Sequence, residues 1–243
     1  MKKLLLLVVF ILSFIFWNNS AFCQTKNPLL DDGIKQYQEE NYEEAIEVLE
    51  KLQTKGPQSS LAAYFLGMAY KQTQDYVKAA ANLEVALTLP PAVKEALVEQ
   101  VNILFQLDRF AEAKKWIAVA KKENIAPANI SFLEGMILAR ERKYSAAIDS
   151  FERAKTLDKN LVPTADYQIG LCFLNDKKFK SARERFKATA SYDPQSDLAT
   201  YARQYMDAVE NTLFYTRPLR VTLGISGGYD SNVTSKPRHE SVA

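Results

Sequence analysis

Bond-making chemistry in this 243-residue chain would have to start from very few side chains. The one histidine, His239, is the natural general base of a triad or ligand of a metal site. It stands in Lys236-Pro237-Arg238-His239-Glu240-Ser241, a proline- and charge-rich stretch that offers no element to orient an imidazole. Cys172 lies between Leu171 and Phe173 in an apolar helical run, where a thiol packs as a small hydrophobe rather than acting as a nucleophile. Gly224, Gly227 and Gly228 form no dinucleotide or phosphate-loop signature and precede no helix. The acid pairs Asp31-Asp32, Glu39-Glu40 and Glu43-Glu44 fall at expected helix starts, where carboxylates complement the dipole. The expectation is a protein that is not an enzyme, with no cofactor and no metal.

The elements that would position any site are set by a period. Tyr42, Tyr76, Phe110, Tyr144 and Phe179 follow one another at steps of 34, 34, 34 and 35 residues. Three places after each stands an alanine (Ala45, Ala79, Ala113, Ala147, Ala182), and four places further a large apolar residue (Leu49, Leu83, Ile117, Phe151, Phe186). Within one period the apolar positions have helical spacing, as at Leu30, Gly33, Ile34 and Tyr37, and polar pairs such as Gln74-Asp75 separate two helices. Ser59-Ser60 reads as the cap of a helix from Leu61 to Gln72, Tyr76 to Leu89 as its partner, and Gly56-Pro57 as a stop. A self-similar period of this length means stacked supersecondary units.

The residues that recur resemble a tetratricopeptide repeat. The second copy carries Gly67, Tyr70, Ala79, Leu83, Ala86 and Pro91; the first has Gly33, Ala45, Leu49 and Pro57, with Leu52 for the second alanine. The fourth has Gly135, Ala147, Phe151 and Ala154, with Lys159 for the proline; the fifth has Gly170, Phe173, Ala182, Phe186 and Pro194. The third departs furthest, with Val101 for the glycine and Ile125 for the proline, while Ala113, Ile117 and Ala120 keep phase. The resemblance implies an all-α, right-handed solenoid of about five helix pairs, with repeats at 27–58, 59–92, 93–127, 128–160 and 161–195. A capping helix at 196–213 follows, because Thr216 and Pro218 break the next second helix. The glycine is expected where two helices cross, with bulky residues one turn away filling the grooves. The extra residue between copies four and five is expected in the loop 158–163.

The resemblance also implies where binding happens. In such repeats the first helices line the inner wall of the superhelix. Carried onto this chain, the candidate groove residues are Tyr37, Tyr64, Met68, Asn102, Phe105, Phe132, Met136, Tyr167, Leu171, Tyr201 and Tyr205, with Lys71 and Ala139 beside them. Relatives that clamp an acidic C-terminal peptide use Lys, Arg and Asn there. Here only Lys71 and Asn102 fit, so an amphipathic helix or extended apolar segment is the better-matched protein partner. The competing reading is that this stripe is intramolecular core.

Both ends of the chain carry further signals. Met1-Lys2-Lys3, the apolar run from Leu4 to Trp17, and Ala21-Phe22-Cys23 read as a signal peptide over 1–23, with an uncleaved anchor or a lipidated Cys23 as alternatives. Two of the 31 basic residues lie in it, so its removal leaves 29 against 29 acidic ones and no electrostatic reason to expect nucleic acid. Past Pro218, Val221, Leu223, Ile225 and Tyr229 alternate with polar or tiny residues, the period of a strand with one apolar face. Residues 214–243 are thus a linker and β-prone tail. Gly228-Tyr229-Asp230-Ser231-Asn232-Val233 resembles the opening strand of outer-membrane barrels with an N-terminal tetratricopeptide domain, such as surface-lipoprotein assembly modifiers and exopolysaccharide-export porins. That resemblance implies an exported periplasmic scaffold joined in cis to a barrel, of which the chain holds only the first strand. The alternative is a free periplasmic adaptor or co-chaperone with a disordered tail.

Overall fold

The computed structural model describes residues 27–55 and 59–215. Among the described residues there are eleven α-helices and one 3-10 turn. They form five antiparallel pairs and a final single helix. The pairs are α1 (Pro28–Gln38) with α2 (Tyr42–Lys55), α3 (Ser60–Gln72) with α4 (Tyr76–Thr88), and α5 (Ala96–Gln106) with α6 (Phe110–Glu123). Then come α7 (Pro127–Arg140) with α8 (Tyr144–Leu157), α9 (Val162–Asn175) with α10 (Phe179–Tyr192), and α11 (Asp197–Tyr215). Each helix packs on its neighbours in sequence, as a solenoid requires. The stop at Gly56-Pro57, the alternating segment after Pro218 and the leader lie outside the described residues.

Each aromatic marker is the first residue of a second helix, and the turn before it is built the same way five times. Glu40, Gln74, Asp108, Arg142 and Lys177, two places before each aromatic, have φ between 55 and 64°. The next residue donates its N–H back five places, as in Asn41 to the Gln36 carbonyl (2.9 Å) and Lys178 to that of Phe173 (2.8 Å). This is the Schellman closure, which satisfies carbonyls that the helix end would otherwise orphan. Glycine is its usual left-handed residue, yet none stands at these five positions. The acid pairs divide accordingly. Asp31 and the pair Glu43-Glu44 lie in first turns. Glu39-Glu40 does not: Glu39 is the C-cap of α1 and Glu40 its left-handed residue. The expectation that this pair sits at a helix start does not hold, because the residues just before an aromatic marker close the preceding helix.

The repeated glycine meets the bulky residue itself, not a groove one turn away. A Cβ built on Gly33 would come within 2.6 Å of Leu49, on Gly67 within 2.9 Å of Leu83, and on Gly135 and Gly170 within 2.7 Å of the Phe151 and Phe186 rings. The large side chain lies flat on bare backbone, and Leu49, Leu83, Phe151 and Phe186 are all fully buried. In the third pair a buried Val101 replaces the glycine, and its two helices share the least extensive contact of the five pairs. A Cβ holds the backbones apart, so the degenerate copy is also the looser one.

Polar contacts join successive pairs. Asp166 on α9 is buried and accepts from Lys155 of α8 (2.5 Å) and Arg185 of α10 (2.8 Å). Glu134 on α7 takes Lys121 of α6 (2.5 Å) and Arg153 of α8 (3.3 Å). Ser59 caps α3, accepting from the Ala62 N–H (3.3 Å), while Ser60 donates to the Pro91 carbonyl (2.5 Å). The extra residue between copies four and five is absorbed by the 3-10 turn Lys159–Leu161. The last helix, α11, makes no Schellman turn where the earlier first helices do. It runs on to Tyr215, leaving Phe214 65% and Tyr215 83% exposed.

Candidate functional site

Cys172 is buried in α9, and desolvation pushes its thiol up to about 11. A thiol that is neutral and covered near pH 7 is a packing group. His239 and the glycines 224, 227 and 228 lie outside the described residues. Among the described residues no cluster of His, Cys, Asp and Glu could hold a metal.

The candidate groove residues lie on the first helices and α11, and the structure divides them into two groups. In the first half of the wall, the aromatics turn onto one another. Tyr37 meets Phe65 edge-on at 5.5 Å and Tyr42 at 5.6 Å, and Tyr64 meets Phe65 at 5.3 Å. Burial, and then the charge of Glu99, raise the Tyr64 phenol above its ordinary value. Glu99 itself holds Lys71 at 2.6 Å, tying α3 to α5. Lys71 is therefore spent within the wall. Met68 and Asn102 are half-buried. Phe105 is buried at 6% exposure against Phe110, with the Arg140 guanidinium 5.4 Å over its ring. It is core, and no incoming chain can reach most of it.

In the second half the wall opens. Phe132 and Tyr167 rest edge-on against the buried Phe151 (5.3 Å) and Phe186 (5.8 Å). Tyr205 stacks on Phe186 at 5.2 Å and meets the Tyr167 ring edge-on at 6.0 Å; burial and then that neighbour raise the Tyr167 phenol. On this floor sits an open recess of about 460 Å³ between α9 and α11, walled by Tyr167, Tyr201, Gln204, Tyr205 and Ala208. Tyr201 stands 54% exposed at its rim. A second recess, about 220 Å³, lies on the neighbouring seam between α7 and α9. Met136, Ala139 and Leu171 form its apolar part, and Arg140, Gln168 and Asn175 its polar edge.

The structure thus brings together Met136 with Leu171, and Tyr167 with Tyr201 and Tyr205. Neither of these two recesses gathers Tyr37, Tyr64 and Phe105. The polar edge residues Arg140, Gln168, Asn175 and Gln204 were not among the sequence candidates. A signal for two of them existed: the last residue of each first helix runs Gln38, Gln72, Gln106, Arg140, Asn175, a polar column in phase with the repeat.

A mostly apolar recess with a few amide and guanidinium groups at its rim suits a polypeptide segment, offering side-chain pockets and backbone partners together. Cys172 also lines the smaller recess, and burial keeps its thiol protonated near neutral pH.

The comparisons with known proteins agree with this architecture. A family model described as tetratricopeptide repeat matches residues 30–94. Among solved structures, the chain is similar to MamA from Desulfovibrio magneticus RS-1, at 18% identity and a TM-score of 0.62, over 70% of this chain and 95% of that one. It is similar to YrrB, a TPR protein with an unusual peptide-binding site, at 21% identity and 0.60, over 73% and 91%. A thermophilic TPR protein from Thermus thermophilus aligns at 17% identity and 0.56, over 74% and 97%. Identities this low speak for the fold, and the fold is a tetratricopeptide-repeat solenoid.

Proposed function

We propose that this chain is an exported, non-catalytic tetratricopeptide scaffold that holds a protein segment on its first-helix wall, and that it stands in the periplasm ahead of an outer-membrane barrel. The observation that carries the binding half is the pair of adjoining recesses at α7–α9 and α9–α11, apolar below and polar at the rim. Tetratricopeptide solenoids act as protein-interaction scaffolds, and YrrB is described as having a peptide-binding site.

The barrel half is supported by the way the solenoid ends. An ordinary last repeat would turn back after about Glu210; α11 instead continues and presents Phe214 and Tyr215 to solvent. Arg217, Pro218 and the alternating run Val221, Leu223, Ile225 follow directly. Aromatic residues beside a strand with one apolar face are what a barrel needs at the membrane interface. In this reading the solenoid receives an exported protein or polysaccharide and hands it to the barrel.

Fractionation of cells making the full-length gene product tests both the export and the barrel. The reading expects the protein in the outer membrane, with the solenoid cut by protease only once the outer membrane is opened. Recovery as a detergent-independent soluble periplasmic protein would favour the free adaptor instead. Recovery in the cytoplasm would contradict both.

A further inference from the structure

Arg140 is the anomaly of the first-helix wall. At the last position of the other first helices the chain carries amides, Gln38, Gln72, Gln106 and Asn175, which both donate and accept. Amides can meet a peptide backbone in either direction and at any register. A guanidinium only donates, and it asks for a negative partner. Among the described residues Arg140 forms no ion pair. The carboxylates nearest in sequence are already taken: Glu141 by Lys114 and by Lys143 (2.9 Å), and Glu134 by Lys121 (2.5 Å) and Arg153 (3.3 Å). Arg140 rests instead over the Phe105 ring at 5.4 Å, exposed, at the rim of the recess that Met136 and Leu171 floor.

Resting on the reading of this wall as a peptide site, we propose that the α7–α9 recess takes an extended segment carrying an aspartate or glutamate side chain beside an apolar one. The carboxylate pairs with Arg140, the apolar side chain fills the space between Met136 and Leu171, and the chain runs on towards the Tyr167–Tyr205 recess. The acid is internal to the segment, not a C-terminal carboxylate, because a second recess on the next seam of the wall offers a place for the chain to run on. Lys71, which a terminal-carboxylate clamp would need, is held by Glu99. Arg140 then fixes register where the amide column cannot.

The test is a selection of random dodecapeptides, displayed as internal fusions with no free C-terminus, on the full chain. The proposal expects the selected peptides to share an acidic residue next to an apolar one. Arg140→Glu should weaken the best of them by about tenfold, and reselection on that variant should bring Lys or Arg to the same position. Arg140 is exposed, and unchanged far-UV circular dichroism will show that the variant is folded. Selected peptides without a shared acid, lost on Leu171→Glu or Met136→Gln yet indifferent to Arg140→Glu, would overturn the acidic register and leave the groove standing. Peptides indifferent to all three substitutions bind elsewhere and would overturn the groove reading with it.

Discussion

The two halves of the first-helix wall are made of the same repeat and do different things. From α1 to α5 the wall side chains pack mainly on one another: Tyr37, Tyr64 and Phe65 meet ring on ring, Lys71 and Glu99 bridge two repeats, and Phe105 is buried with Arg140 over its ring. From α7 to α11 the bulky residue under each glycine is a phenylalanine instead of a leucine. The rings of Phe151 and Phe186 form a broad floor, and the wall aromatics stand on it at an angle, leaving recesses between neighbouring first helices. A solenoid can thus pack one stretch of its stripe side chain on side chain and leave recesses along another, without altering its period.

That contrast can be broken in order of size. Phe186→Ala removes a fully buried ring that supports both Tyr167 and Tyr205, and should cost about 4 kcal/mol. Because each repeat leans only on its neighbours, hydrogen exchange should accelerate first in α9 to α11 and little in α3 and α4. Uniform acceleration would show that the halves are not separable. Val101→Gly, in the looser third pair, empties a buried position and adds backbone freedom, for a loss of about 3 kcal/mol in urea unfolding. The reverse change at the matching position of the fourth pair, Gly135→Ala, presses a methyl to 2.7 Å from the Phe151 ring. Helix propensity returns part of that strain, so the net loss should be about 1 kcal/mol. A gain in stability there would mean that the ring is not clamped as described.

The smallest expected effect is on pH. Burial raises the folded Cys172 thiol from 9.0 to about 11. Its stabilising contribution is therefore complete below pH 9 and is lost as pH rises towards 11, since the unfolded chain gives up its proton first. Tyr64, Tyr70 and Tyr167 are raised as well and act in the same direction. The quantity to follow is thus the difference between the chain and Cys172→Ala in denaturation midpoint from pH 8 to 11. A flat difference would place the thiol in contact with water.

The repeat was legible because its packing contacts are local. Each marker aromatic begins a second helix, and each glycine meets a residue sixteen places on, so period alone locates both. The five left-handed turns were not legible, since Glu40, Gln74, Asp108, Arg142 and Lys177 share no residue type; the closure is imposed by the helices on either side. The wall was half legible. Helical phase places Tyr37, Phe105 and Tyr201 on one face, but whether such a residue is sealed or open depends on side chains one and two repeats away. Phe105 lost its exposure to Arg140 and Phe110, while Tyr201 kept it because no first helix follows α11 among the described residues. Asp166, buried between Lys155 and Arg185, gave no sign in a reading of single helices, because its partners come from α8 and α10.

The central claim is that a bound segment lies on the second half of the wall, across α7, α9 and α11. Amide chemical-shift changes on titrating a selected dodecapeptide into the isotope-labelled chain test it most directly. The account predicts changes concentrated at 136–144, 167–175 and 201–208, with residues 64–72 and 98–105 unmoved. Changes centred on Tyr64, Met68 and Asn102 instead would contradict it.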